Sequence, residues 1–290
     1  MTYEIIKPRR SAMLLSGKNP GEFADALKSG ADMVVIDLED SVPPDKKDTA
    51  RRDVLALFDG APSRDKVERI VRINSLRSLE GLADVMAISE CEFFPDALLL
   101  PKVNSPAEVT QLDELLSGPK SGIALHVMIE TNVGLENCYK IAQAHPRIGA
   151  LFFGAVDMSA ELRVDIGWNA MLYARSRLVH AAAAAAVDLI DVPFLDLEDK
   201  EGLRREAGAS AELGFTGKGV IDPEDITLIN RCFSPGTEEI LRARRIVDAF
   251  EQGDGGPVVI DGKMIEKPVL KSMYRILAIA ERDRGMRSNP

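Results

Sequence analysis

Ala97-Leu98-Leu99-Leu100, then Ser105-Pro106-Ala107-Glu108, then Ala124-Leu125-His126-Val127-Met128-Ile129 decide the fold class. The first and last of these are short apolar runs of the kind a strand shows when both of its faces are buried. Between them Ser105 offers an N-cap, Pro106 a first helical position without a needed N–H, and Glu108 an early acid, which together predict a helix from Ser105 to Leu116. The pattern is strand, helix, parallel strand. Working outward, the same kind of run recurs at Ala12–Leu15, Met33–Ile36, Ile70–Ile73, Ala150–Phe153, Leu189–Val192 and Lys218–Ile221, which makes eight candidate strands with helical spacing between most of them. Eight such units in roughly 220 residues predict a (β/α)8 barrel. A Rossmann-like sheet is the competing layout, but no Gly-x-Gly-x-x-Gly follows a strand. The barrel is expected over residues 1–235.

Residues 236–290 read as an appendage: a helical stretch from Gly236 to Gln252, a Gly-rich loop from Gly253 to Pro257, and an apolar stripe of Val269, Met273, Ile276 and Ala280. It either caps its own domain or packs on a neighbouring subunit. Composition narrows the function classes. The 290 residues are 46% hydrophobic and 28% charged, with 36 Lys and Arg against 46 Asp and Glu, a formal net charge of −10. That surface disfavours general binding to nucleic acid or anionic lipid, so an anionic ligand needs a local basic site. The longest apolar run, Ala181–Val187, is far below the roughly 20 residues of a membrane span and reads as a packed helix face. Met1 to Arg10 has no apolar core of a secretory signal, so a cytoplasmic protein is expected. Three scattered cysteines and three scattered histidines give neither a disulfide framework nor zinc spacing.

In a barrel of this type reactive groups follow the C-terminal ends of the strands. Those positions carry Ser16-Gly17-Lys18, Asp37-Leu38-Glu39-Asp40, Arg72 and Asn74, Pro101-Lys102, Glu130-Thr131, Asp157, Asp191 and Asp196, and Asp222. A ring of carboxylates without His or Cys is a hard oxygen donor set suited to Mg2+ or Mn2+. Glu130 and Asp157 follow neighbouring strands five and six and are the expected metal ligands. Arg72, at the end of an apolar strand, needs an anionic partner. It either makes a structural salt bridge or holds a substrate carboxylate or developing enolate oxygen. Lys102 is a weaker candidate for the same anion, since a lysine there can also snorkel to solvent.

Taken in order, Arg10-Ser11, Ile36-Asp37-Leu38-Glu39-Asp40-Ser41-Val42, Val71-Arg72-Ile73-Asn74, Leu100-Pro101-Lys102-Val103, Ile129-Glu130-Thr131, Gly154-Ala155-Val156-Asp157, Gly214-Phe215-Thr216-Gly217-Lys218 and Gly262-Lys263-Met264-Ile265 resemble the signatures of the citrate lyase β-subunit group of the HpcH/HpaI aldolase superfamily, which includes malyl-CoA and citramalyl-CoA lyases. The resemblance covers nearly the whole chain. It implies a barrel with a C-terminal lid reaching a neighbouring subunit in a trimer or hexamer. It also implies Mg2+ on Glu130 and Asp157, Arg72 on the acyl substrate, and Asp37, Glu39 and Asp40 around the metal-bound waters. Arg9, Arg10, Lys18 and Lys102 would meet the substrate or its CoA phosphates. The implied reaction makes or breaks a C–C bond of a β-hydroxyacyl-CoA such as malyl-, citramalyl- or citryl-CoA, giving acetyl-CoA and a 2-oxo acid.

Three positions depart from the family pattern. Glu266 stands where an aspartate is usual for the acid/base delivered by the neighbour, with Asp261 as a nearby substitute; Val156 replaces a glutamate, and Asp222 a histidine. The last two imply a changed acyl group. Competing readings on the same fold are a malyl-CoA thioesterase, a CoA-independent class II 2-oxo-acid aldolase and a non-catalytic CoA-binding homologue.

Overall fold

The computed structural model describes residues 9–59, 67–253, 256–266 and 269–287. Residues 1–8 of the expected barrel domain lie outside them. Eight strands, β1 Ser11–Ser16, β2 Met33–Asp37, β3 Glu68–Arg72, β4 Ala97–Leu100, β5 Ala124–Ile129, β6 Ile148–Phe153, β7 Asp188–Asp191 and β8 Gly217–Val220, pair in parallel in sequence order. β8 closes on β1 with Ser11 opposite Lys218, so the sheet is a closed barrel with helices between successive strands. Each apolar run anticipated from the sequence is a strand, with ends shifted by at most a residue or two.

Alternation across the pleat explains why these strands are apolar throughout. Ala12, Met33, Val35, Ile70, Ala97, Leu99, Met128, Ala150, Phe152 and Ile190 fill the interior of the barrel. Their neighbours, among them Val34, Ile36, Val71, Leu98, Leu100, Val127 and Leu151, face outward into a larger cluster built with the helices. Capping sets where those helices begin. The helix Pro106–Leu115 opens as anticipated: Glu108 Oε1 accepts from the backbone N–H groups of Asn104 and Ser105 at 2.9 and 3.1 Å. Thr131 accepts from the Gly134 N–H and starts Asn132–Ala142 directly behind Glu130. In the helix Trp168–Ala185 only Ala181 and Ala182 of the alanine run are buried, whereas Ala183 and Ala184 are exposed, so the packed face expected of the run is confined to its start.

The N-terminal mouth of the barrel is held by ion pairs. Arg9 Nε lies 2.7 Å from Glu68 Oε2, and its Nη1 donates to Gly149 O and to Asp188 Oδ2. Arg10 Nε pairs with Asp32 at 2.8 Å and Arg69 with Asp96 at 3.0 Å. This corrects the expectation that Arg9 and Arg10 meet a substrate. In a parallel barrel everything that precedes a strand lies at the opposite mouth from everything that follows one, and the six residues of β1 separate the two ends by about 20 Å. Burial opposes ionisation of Glu68, but His126 and Arg9 outweigh it and hold that carboxyl well below its ordinary range.

The chain forms two compact units, with the boundary after Phe233. In the second unit the helices Thr237–Gln252 and Val269–Arg287 pack through Ala243, Val247 and Leu277, with Met273 and Ile276 of the expected stripe beside them. Between them an antiparallel hairpin pairs β9 Val258–Ile260 with β10 Lys263–Ile265. Asp261 and Gly262 form its turn at φ 51° and 74°, the conformation that makes Asp-Gly a hairpin signal. No helix of the described residues is long and apolar enough to cross a membrane.

Candidate active site

At the C-terminal mouth the strand ends bring Asp37, Glu39, Arg72, Lys102 and Glu130 into one chain of contacts. Arg72 is the last residue of β3, beside Asp37, the last of β2. Its fork closes on that carboxylate, Nε to Oδ1 at 2.6 Å and Nη2 to Oδ2 at 2.7 Å. Nη1 remains on the other edge, 3.3 Å from Glu39 Oε2 and 3.8 Å from Met128 Sδ. One edge of the guanidinium thus meets Asp37 and the other Glu39. Burial alone pushes the Asp37 carboxyl up, but Arg72 reverses this and holds it below the usual carboxylate range. Asp37 also accepts the backbone N–H groups of Glu39 and Ser41, fixing the loop after β2. Lys47 holds that loop from beneath through the Leu38 and Glu39 carbonyls and Asn74 Oδ1. In sequence Lys47 is simply one more lysine at the start of a helix.

Glu130 is 1% exposed. Its Oε1 accepts from the Lys102 N–H at 2.7 Å, whereas Oε2 is buried with no hydrogen-bond partner among the described residues. Burial, then the Glu39 and Asp157 charges, push its carboxyl up to about 8, against the pull of Arg72 and the Lys102 N–H. Glu39 Oε2 is likewise buried without a hydrogen bond. Asp157 lies half-buried in the first turn of the helix Ala155–Leu162, at the end of the neighbouring strand.

These oxygens fit a divalent cation. Buried carboxylate oxygens without a hydrogen bond are costly, Glu39 Oε2 having only the 3.3 Å ion pair with Arg72 Nη1 and Glu130 Oε2 no such contact among the described residues, and a hard cation held by Glu130 would remove that cost. Among the described residues no three His, Cys, Asp or Glu side chains form a complete metal cage. Mg2+ takes one or two protein carboxylates and completes its shell with water and substrate, so Glu130 with Asp157 would be enough to hold it. Gly154 makes the space: a Cβ built there would stand 2.5 Å from Glu130 Oε2. Gly154 has φ −91°, which alanine can adopt, but the same Cβ would stand 2.5 Å from Glu130 Cβ as well, so the whole Glu130 side chain and its strand end must shift. Gly154→Ala is expected to weaken Mg2+ binding roughly 10–100-fold by titration calorimetry and also to lower the unfolding midpoint, since Glu130 moves together with its strand end. Unchanged affinity would remove Glu130 from the metal site.

Other expected residues fall differently. The Lys102 ammonium, expected on the substrate, lies 2.6 Å from Glu39 Oε1 and 3.2 Å from Asp40 Oδ1. Two carboxylates some sixty residues upstream thus take up its charge, a pairing that no local pattern announces. Lys18 is exposed past the end of β1, and its side chain has no partner among the described residues. Asp191 does not join the ring. It points outward and is buried against Arg175, Ser210 and Lys218, a network within the layer between strands and helices. Asp222 caps the turn through the Glu224 N–H and pairs with Lys200 at 3.0 Å, which accounts for a carboxylate there without a substrate. On the second unit, Asp261 pairs with Arg245 at 3.2 Å and serves the hairpin turn, whereas Glu266 is exposed beyond β10 with no side-chain partner among the described residues.

Comparison with known proteins agrees with this arrangement. The chain is 32% identical over 287 residues to citrate lyase subunit beta of Leuconostoc mesenteroides subsp. cremoris, covering 94% of this chain and 93% of that protein. It is 33% identical over 279 residues to a (3S)-malyl-CoA thioesterase of Cereibacter sphaeroides, covering 94% and 95%. Among solved structures it matches the protein CitE from Mycobacterium tuberculosis in complex with magnesium, acetoacetate and coenzyme A, with a TM-score of 0.76 and 27% identity over 94% of this chain and 98% of that one. The family model for HpcH/HpaI aldolase/citrate lyase matches residues 10–223, the barrel almost from end to end. By strand order, by the ring at the barrel mouth and by these matches, the chain belongs to the HpcH/HpaI aldolase/citrate lyase family.

Proposed function

We propose that this protein is a Mg2+-dependent carbon–carbon lyase acting on a β-hydroxyacyl-CoA, with malyl-CoA and citramalyl-CoA as the substrates to try. The observation that carries the reading is Glu130: a buried carboxylate with one oxygen held and the other without a hydrogen bond, within the field of Glu39 and Asp157. Relatives that are a citrate lyase β subunit and a malyl-CoA thioesterase, and a neighbour structure holding magnesium with coenzyme A, support it.

Glu130 and Asp157 would hold the ion, which when bound supplies Lewis acidity to the hydroxyl and carboxylate of the substrate. Arg72 is a permanent cation, since its carboxylate neighbours outweigh the burial that opposes its charge. Its Nη1, 3.3 Å from Glu39 Oε2, would receive the negative charge that develops on the thioester oxygen as the C–C bond breaks. A base removes the hydroxyl proton, the 2-oxo acid departs, and the enolate carbon is reprotonated to give acetyl-CoA. For that proton transfer we assign Glu266 of a second copy. Met264 and Val259 face each other across the hairpin, 68% and 72% exposed, and strand alternation puts Glu266 on the side of Met264. That apolar face calls for a covering surface, and a homo-oligomer provides one.

The test is product analysis by mass spectrometry with each CoA ester, in Mg2+ and in EDTA. Metal-dependent acetyl-CoA with glyoxylate or pyruvate is the expected result. Free CoA with the intact hydroxy acid would instead establish a thioesterase, the reading favoured by the Cereibacter relative. No reaction with either ester would overturn the assignment. Glu266→Gln is expected to lower kcat roughly 100-fold or more with KM little changed; a raised KM at normal kcat would show that Glu266 binds rather than transfers a proton.

A further inference from the structure

Among the described residues four non-glycine positions have positive φ: Lys102, Arg163, Ala186 and Asp261. Three have routine causes. Arg163 and Ala186 end helices in the left-handed C-cap conformation, and Asp261 is in the hairpin turn. Lys102, at φ 54°, ends no helix and makes no hairpin; it sits between β4 and the helix Pro106–Leu115, at the candidate site. A long side chain in this region is held against its own Cβ preference by something outside it.

The holding contacts are on every side of the residue. The backbone N–H donates to Glu130 Oε1 at 2.7 Å, and the carbonyl accepts from Arg77 Nη2 at 2.6 Å. The ammonium is tied to Glu39 Oε1 at 2.6 Å and to Asp40 Oδ1 at 3.2 Å. We propose that Lys102 is a positioning residue: its side-chain tether to Glu39 and Asp40 keeps the backbone left-handed, and the left-handed backbone aims its N–H at Glu130, fixing one carboxylate oxygen so that the other faces the cation. The ammonium acts through the backbone and does not contact substrate. This rests on the metal reading above for its consequence, and on the described contacts alone for its mechanism.

A pair of substitutions separates tether from charge. Lys102→Ala keeps the Cβ that disfavours the left-handed region and removes the tether, so the backbone relaxes and the N–H leaves Glu130. Lys102→Gly removes the tether and also the need for one. Both lose the same positive charge, so any difference between them reports the backbone. The experiment measures hydrogen exchange at the residue-102 amide without metal, and Mg2+ affinity by titration calorimetry, in the wild-type protein and both variants. The amide is expected to be protected in the wild type and in Lys102→Gly and to exchange about tenfold or more faster in Lys102→Ala. Mg2+ should bind Lys102→Gly within roughly threefold of the wild type and Lys102→Ala about tenfold more weakly. Equal exchange in the two variants would overturn the proposal, as would the expected exchange pattern with one Mg2+ affinity throughout. If the exchange pattern holds and even the wild type binds no Mg2+, the metal reading fails while the clamp on Glu130 stands.

Discussion

Glu130→Gln is expected to lose Mg2+-dependent turnover altogether while the barrel stays folded. Glutamine matches the shape and can still accept the Lys102 N–H, but it brings a neutral amide where the cation needs a charged oxygen. Mg2+ affinity should fall beyond the roughly 10–100-fold seen when groups merely supporting a ligand are changed. Stability should move the other way in metal-free solution. The Glu130 carboxyl ionises near pH 8 in the folded protein, against a usual value of 4.5. Between those values the folded state holds a proton that the unfolded state has lost, so this group makes stability fall as pH rises from 4.5 to 8. Glutamine removes that slope. Metal-free Glu130→Gln should therefore melt above the wild type at pH 8.5, with the gap closing as pH falls toward 5. In the wild type, added Mg2+ should raise Tm more at pH 8.5 than at pH 6, because at the lower pH it must displace a proton. Unchanged turnover in Glu130→Gln would remove the metal assignment, and a Mg2+ effect independent of pH would remove its ionisation from the argument.

Arg72→Lys carries the second large effect. Lysine keeps the charge but cannot close two parallel hydrogen bonds on Asp37 and still present a donor to the opposite side. We expect kcat to fall roughly 100- to 1000-fold, the range found when a single donor to a developing oxyanion is removed. KM and Mg2+ affinity should change far less, since the metal carboxylates remain in place. Arg72→Ala is a different experiment. It leaves Asp37 buried without its cation, for which a cost of about 3–5 kcal/mol is typical, so its activity loss would mix chemistry with unfolding. A Lys variant that retains wild-type kcat would show that the Nη1 edge beside Glu39 has no part in the reaction.

How much of this was legible residue by residue follows from what each pattern encodes. Apolar runs buried on two faces announce themselves, which is why every barrel strand was found from sequence. The N-cap and acid ahead of Pro106–Leu115 are equally local, as is the placement of Glu130 and Asp157 at adjacent strand ends. Asp191 shows the limit. It ends β7 as Asp37 ends β2, yet one carboxylate faces the helices and the other meets Arg72, because pleat parity and the neighbouring layer decide direction. Arg10 failed for another reason: a resemblance signals that a residue matters but not at which mouth, and here the residue pins Asp32.

The sequence by itself determined the closed parallel barrel, the helices after it and the carboxylates at its mouth, from which Glu130 and Asp157 are proposed for the metal. Each of these depends on residue type and spacing within one strand–loop–helix unit. Only the tertiary structure decided that Asp37 occupies one edge of Arg72 and Glu39 meets the other, that Lys102 is tied to Glu39 and Asp40, and that Gly154 clears the space for Glu130. These join residues tens of positions apart through hydrogen bonds and exclusion. Such contacts exist only after the eight strands have closed and brought their ends to one rim.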